Sequence, residues 1–206
     1  MNNSTTYNYP HYKPQFGNLT TQFQNEYINY YIEKGVMHQY SAIDQNIISL
    51  IASNNHNHPI YFWQLYSILG EKPIQVLIYK FYENIFNDHS EPWFRDEFID
   101  TGSIEFHVIG QKKFWLDVMG GGKHYIGGEK RLNIKHKFVE NIMTTEGASR
   151  WMFNMEKTLN ELDLYFIQDK RILPCIDNFL RFFMIKYSIE FDFNLYEIVK
   201  NKKSKL

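Results

Sequence analysis

A chain of 206 residues, 44% of them apolar and 17% aromatic, can bury one good core with an appended helical region. Its 22 basic and 23 acidic residues leave a formal net charge of -1, which provides no field to gather nucleic acid or an anionic membrane. A single cysteine, Cys175, rules out an internal disulfide framework and a Cys-rich zinc centre, and suits a reducing compartment.

The first 57 residues are rich in Asn, Tyr and Gln and carry two weak helical patterns, Phe23, Tyr27, Tyr30 and Tyr31, then Ile43, Ile47, Ile48 and Ile51. The opening "MNNSTTYNYPHYKPQFGNL" lacks the basic start and apolar run of a secretory leader. No later segment reaches about 18 uninterrupted apolar residues. A soluble, cytoplasmic protein is expected. "SNNHNHP" then punctuates the chain as a linker, and His56 and His58, without a third ligand, read as solvated side chains. The expected organisation is an N-terminal extension over 1–57, helical or partly disordered, a helical domain over 58–190, and a tail over 191–206. The terminal Ser204-Lys205-Leu206 matches the peroxisomal import address, which carries meaning in a eukaryotic source.

Beyond the linker helices dominate, and no alternating strand pattern stands out. "YFWQLYSIL" stops at Gly70, and Pro73 suits the first turn of the next helix, where its missing N–H costs nothing. There Ile74, Leu77, Ile78, Phe81, Tyr82 and Ile85 form one broad apolar stripe. A loop "NDHSEPWF" leads to a helix through "IEFHVIGQKKFWLDVM", halted by glycines at 120 to 122. A short segment carrying His136 follows, then a helix through "ASRWMFNMEKTLNEL" that Trp151 opens, and a long one through "CIDNFLRFFMIKYSIEF". The fold class is all-α.

The helix around Phe114 is the informative one. His107, Gln111, Phe114, Trp115 and Val118 fall at spacings of four, three, one and three, so they share a face. That face mixes hydrogen-bonding side chains with large aromatics. A buried His or Gln must find partners or cost roughly 1–3 kcal/mol, so either these two lie at the wet edge of the stripe or the face lines a pocket for a polar ligand. His136, between Lys135 and Lys137 in "RLNIKHKF", is a surface histidine or an inward ligand. His124 is the weaker candidate.

Taken together, "LYSILGEKPIQVLIYKFYENIF", "FWLDVMGGGKHYIGG", "RLNIKHKF" and "RWMFNMEKTL" resemble the truncated haemoglobins, short globins with a two-over-two helical sandwich, over roughly residues 62 to 188. His107 and the Phe114-Trp115 pair look like the third group of that family. Gln111, the glycine run and the long approach to His136 look like the second. The resemblance implies haem b, with iron held by His136 as proximal ligand and its other ring nitrogen donating to a carbonyl. Phe98, Phe114, Trp115, Tyr125 and Phe138 would pack on the cofactor, with Phe94 the alternative to Phe98 for the aromatic at its edge. Tyr82, His107, Gln111 and Trp151 would form the distal, catalytic face, each able to donate a hydrogen bond to bound oxygen.

The implied function is binding of O2, NO and other diatomic gases. Such a donor-rich site holds oxygen too tightly for easy delivery, which favours oxidation of nitric oxide to nitrate, or peroxidase-like turnover with His107 as acid–base group. Either needs an unidentified external reductase, since no flavin or nicotinamide fingerprint is present. The alternatives are a gas sensor or scavenger whose extension relays occupancy, or a domain that has lost haem. The Ile43 to Ile51 stripe would dock on the domain or on a second subunit, giving a homo-oligomer.

Overall fold

The computed structural model describes residues 33, 60–121, 141–162 and 169–195. Apart from Glu33, the extension lies outside these residues, as do 122–140 and the terminal tripeptide. The described chain is all-α. A 3-10 turn, Phe62–Gln64, leads into six helices: α1 (Leu65–Leu69), α2 (Glu71–Phe86), α3 (Pro92–Thr101), α4 (Ile104–Val118), α5 (Thr145–Glu161) and α6 (Ile172–Glu190). Among the described residues no helix is long and apolar enough to cross a membrane.

Gly70 adopts φ 74°, a left-handed value that ends α1 and starts α2 in the same step. The expected stripe of α2 is fully buried, from Ile74 to Ile85. One expectation needs correction. "NDHSEPWF" is not a loop throughout: the turn is confined to 87–91, and Pro92 at the first helical position opens α3. Only Phe94 of its ten residues is buried, so the helix carries no apolar period in the sequence. It ends at Gly102, where a Cβ would meet the Phe106 ring at 2.8 Å.

Ser103 then caps α4, accepting from the Phe106 amide. The exit from α4 is tight: Gly120 has φ 87°, and a Cβ on Gly121 would stand 2.6 Å from the Tyr66 ring and 2.8 Å from the Leu116 carbonyl. Thr144 caps α5 through the Gly147 amide, so that helix begins earlier than expected and Trp151 lies about two turns inside it, not at its opening.

The helices form a two-over-two sandwich. α2 packs along α4, α5 and α3. Phe81 meets Trp151 edge-on, joining α2 to α5, while Phe114 and Trp115 meet Phe183 and Phe179, joining α4 to α6. Phe62 stacks on Phe179 with ring centroids 4.1 Å apart and closes the base of the core. Trp151 is half-buried; each of the other side chains is buried to within a few per cent and contributes about 1.5–3 kcal/mol of apolar burial. A polar seam runs between α2 and α5. Asn84 donates to Thr158 and Glu161, and Arg150 with Asn154 binds Asp88 in the turn after α2.

Candidate ligand cavity

A cavity of about 400 Å³ lies between the layers, bounded by α2, α3, α4, α5 and α6. That is the size of a small-molecule or cofactor site. Its walls are mostly aromatic: Phe98 from α3, Phe114 and Trp115 from α4, Trp151 from α5, and Phe179 and Phe183 from α6. The 3.6-residue period of α4 brings His107, Gln111, Phe114 and Trp115 to this one space, and Val118 continues the same face into the solid core.

Polarity is concentrated in one corner. Tyr82 is 4% exposed and hydrogen-bonds Gln111 across the α2–α4 contact. Burial pushes its phenol well above the ordinary tyrosine range, and the bond with Gln111 offsets only part of this, so the hydroxyl stays protonated. His107 stacks on the Tyr82 ring, centroids 5.0 Å apart and planes 21° from parallel. Its Nε2 lies 2.9 Å from the Phe98 carbonyl oxygen. A carbonyl can only accept, so Nε2 carries the proton and donates. At the rim, Glu97 accepts from Asn141 at 3.0 Å and Thr101 donates to the Glu97 carbonyl at 2.8 Å.

Of the two aromatics considered for the cofactor edge, Phe98 lines the cavity and Phe94 is wholly buried in the core behind it. The opposite wall has no signature of its own in the sequence: Ile142, Met143, Leu180, Met184, Tyr187 and Phe193 line the cavity there. The α6 members were visible as a run of apolar residues, but nothing local told a cavity wall from plain packing. His136, His124, Tyr125 and Phe138 lie outside the described residues. Among the described residues no group of three His, Cys, Asp or Glu could hold a metal ion.

Haem fits this chemistry. Ring-dominated walls offer flat apolar contact to a macrocycle, and the hydrogen-bonding groups converge on one side as a neutral phenol and an amide. The rim carboxylate, Glu97, is hydrogen-bonded by Asn141.

A two-over-two helical sandwich closed around an aromatic cavity with one polar corner defines a short globin-type ligand-binding domain. A family model described as bacterial-like globin matches residues 64–184, more than half of the chain, and the protein belongs to that family. The match runs from the 3-10 turn before α1 to within two turns of the end of α6, and it is to the family, not to a subgroup. Comparison with curated proteins gave no match.

Proposed function

We propose that the protein is a haem b globin that binds O2, NO or another diatomic gas in this cavity and oxidises nitric oxide to nitrate. The observation that carries the reading is the pairing of Tyr82 with Gln111 as hydrogen-bonding groups inside a largely apolar cavity. Haem supplies reversible binding of diatomics and exchange of electrons. The chain's own residues do the rest. His136 would be the protein ligand, and Phe98, Phe114, Trp115, Tyr125 and Phe138 would flank the ring system. Tyr82, Gln111 and the Trp151 indole donate to the guest. Two net bonds of about 1 kcal/mol each slow release of a gas by one to two decades. Slow release suits chemistry on the guest better than delivery. Turnover draws electrons from an external reductase, since the sequence carries no flavin or nicotinamide fingerprint.

A second reading is a gas sensor. It is favoured by the extension over residues 1–57, which lies outside the family match and would relay occupancy to a partner.

An absorption spectrum of the purified protein, as isolated and after reduction, is the first test. His136→Ala is expected to abolish stable haem uptake or leave a site rescued by imidazole, while His124→Ala keeps a normal spectrum. Rapid nitric oxide consumption by the oxygenated protein with a reductant present supports the enzyme. Slow consumption with gas-dependent assembly supports the sensor. A chain with no haem spectrum after reconstitution defeats both readings.

A further inference from the structure

Trp93, in the first turn of α3, is the most exposed of the four tryptophans, at 42%. A lone exposed apolar ring needs no explanation by itself. Two contacts set this one apart. On its outer side Nε1 donates to the Glu91 carboxylate at 2.9 Å, and Pro92 between the two limits the backbone freedom that would part them. On its inner side begins a file of rings that runs to the cavity.

The indole meets Phe94 edge-on, with centroids 5.7 Å apart. Phe94 is wholly buried and packs on Phe98 at 5.1 Å, and Phe98 packs on Tyr82 at 6.1 Å. Each separation is that of a packed aromatic pair, and both Phe98 and Tyr82 line the cavity. Rings alone thus lead through the α3 wall from solvent to the guest site.

The two ends of this file differ chemically from its middle. An indole or a phenol gives up an electron at potentials that biological oxidants reach, whereas a phenyl ring does not. Phe94 and Phe98 therefore carry an electron by tunnelling and are not themselves oxidised. An indole that loses an electron becomes strongly acidic at its N–H, and the Glu91 carboxylate is already in place to take that proton. Phe106 and Phe153 are more exposed than Trp93, but as phenyl rings they cannot serve.

We propose that Trp93 is a surface oxidation site, at which a phenol or aromatic amine too large for the cavity gives up electrons to peroxide reduced inside it. Peroxide takes two electrons and two protons and leaves as two waters. Each electron passes from Trp93 by way of Phe94 and Phe98, while the indole proton moves to Glu91. A phenol at the surface then returns an electron to the indolyl radical, Glu91 gives back the proton, and the phenol loses its own proton to solvent and ends as a phenoxyl radical. In sum, one peroxide and two phenols give two waters and two phenoxyl radicals. The proposal rests on the haem binding proposed above, since haem supplies the exchange of electrons with a guest.

For the test, full-length haem-loaded protein is treated with stoichiometric hydrogen peroxide and a nitroso spin trap, and the trapped residue is located by peptide mass spectrometry. The adduct is expected on Trp93 and not on Tyr79, the exposed phenol of α2. In parallel, peroxide-dependent oxidation of a tyramine-substituted dextran, which cannot enter the cavity, is compared with that of free phenol, which can. Trp93→Phe is expected to lose the adduct and most of the dextran oxidation, with free phenol oxidised as in wild type. Glu91→Gln still accepts a hydrogen bond but takes no proton, so it should lower both readouts severalfold and recover as buffer base is added. A merely structural role for Glu91 would not respond to buffer. An adduct on Tyr79 in place of Trp93, or dextran oxidised by Trp93→Phe at the wild-type rate, overturns the proposal. Haem-loaded protein that consumes no peroxide overturns it and leaves the gas-binding reading standing, whereas a chain that takes up no haem overturns both. The trap map needs only the wild type, so it decides the matter whatever the fold of the variants.

Discussion

Asp88→Ala probes the polar seam that fixes α5, and with it Trp151, against α2. The Asp88 side chain is 5% exposed and that of Arg150 17%. Two guanidinium nitrogens bind the two carboxylate oxygens, Asn154 donates to one of them at 3.0 Å, and the Ser90 amide approaches the other at 3.3 Å. Breaking a buried pair by removing one partner costs about 3–5 kcal/mol. Arg150 retains some contact with water and its stack on the Phe153 ring at 4.4 Å, so the lower figure, about 3 kcal/mol, is expected. The loss should appear as a lower urea midpoint at pH 7 with unchanged slope. A double-mutant cycle with Arg150→Ala should show that the two single losses are far from additive.

The pH dependence has a defined sign. Burial alone would push the Asp88 carboxyl up, but the bonds from Arg150 and Asn154, the Arg150 charge and the Ser90 amide outweigh it and hold the group below its usual range. A depressed folded value means stability that is complete above the unfolded pKa of about 3.9 and is lost as pH falls through the folded value. The gap between wild type and Asp88→Ala should therefore be level near neutrality and narrow in acid below pH about 4. A loss under about 1 kcal/mol at pH 7, the size of a surface pair, or a gap that ignores acid, would refute the reasoning.

Other substitutions test the cavity and the helix ends. Tyr82→Phe should raise the dissociation rate of oxygen about tenfold by stopped flow, for a bond of roughly 1.4 kcal/mol, and an unchanged rate would place the phenol out of reach of the guest. Because burial raises the Tyr82 pKa in the fold, its contribution to stability is complete below the unfolded value of about 10 and is lost as pH rises through the folded one, so Tyr82→Phe should lack that alkaline loss in a melting series. Asn84→Ala leaves a gap between Thr158 and Glu161, and should cost about 1–3 kcal/mol in urea unfolding. It should also raise the Glu161 carboxyl in an NMR titration, since the bond from Asn84 is the main cause of its lowered pKa. Gly147→Ala would set a Cβ 2.0 Å from the Ile142 carbonyl oxygen, and the backbone shift needed should cost at least about 2 kcal/mol by thermal unfolding.

Several features were legible in the sequence because each depends on residues within a turn or two of one another. The α2 stripe from Ile74 to Ile85, the stop at Gly70 and the shared face of His107, Gln111, Phe114 and Trp115 follow from helical period and glycine geometry, and all are present in the fold. α3 left only a Pro at its start and a Gly at its end, because a helix with one buried residue has no period to display. Tertiary structure decided the rest. Tyr82 and Gln111 are 29 positions apart and meet because α2 packs along α4. Phe94 and Phe98 occupy equivalent positions one turn apart on α3, and only the packing of that helix sends the first into the core and the second to the cavity. The side chain of His107 could be assigned to a shared helical face from its spacing alone. Where its proton points depended on the Phe98 carbonyl, nine residues earlier and across the break at Gly102, because a hydrogen bond is set by the position of both partners and spacing along one helix locates only one of them.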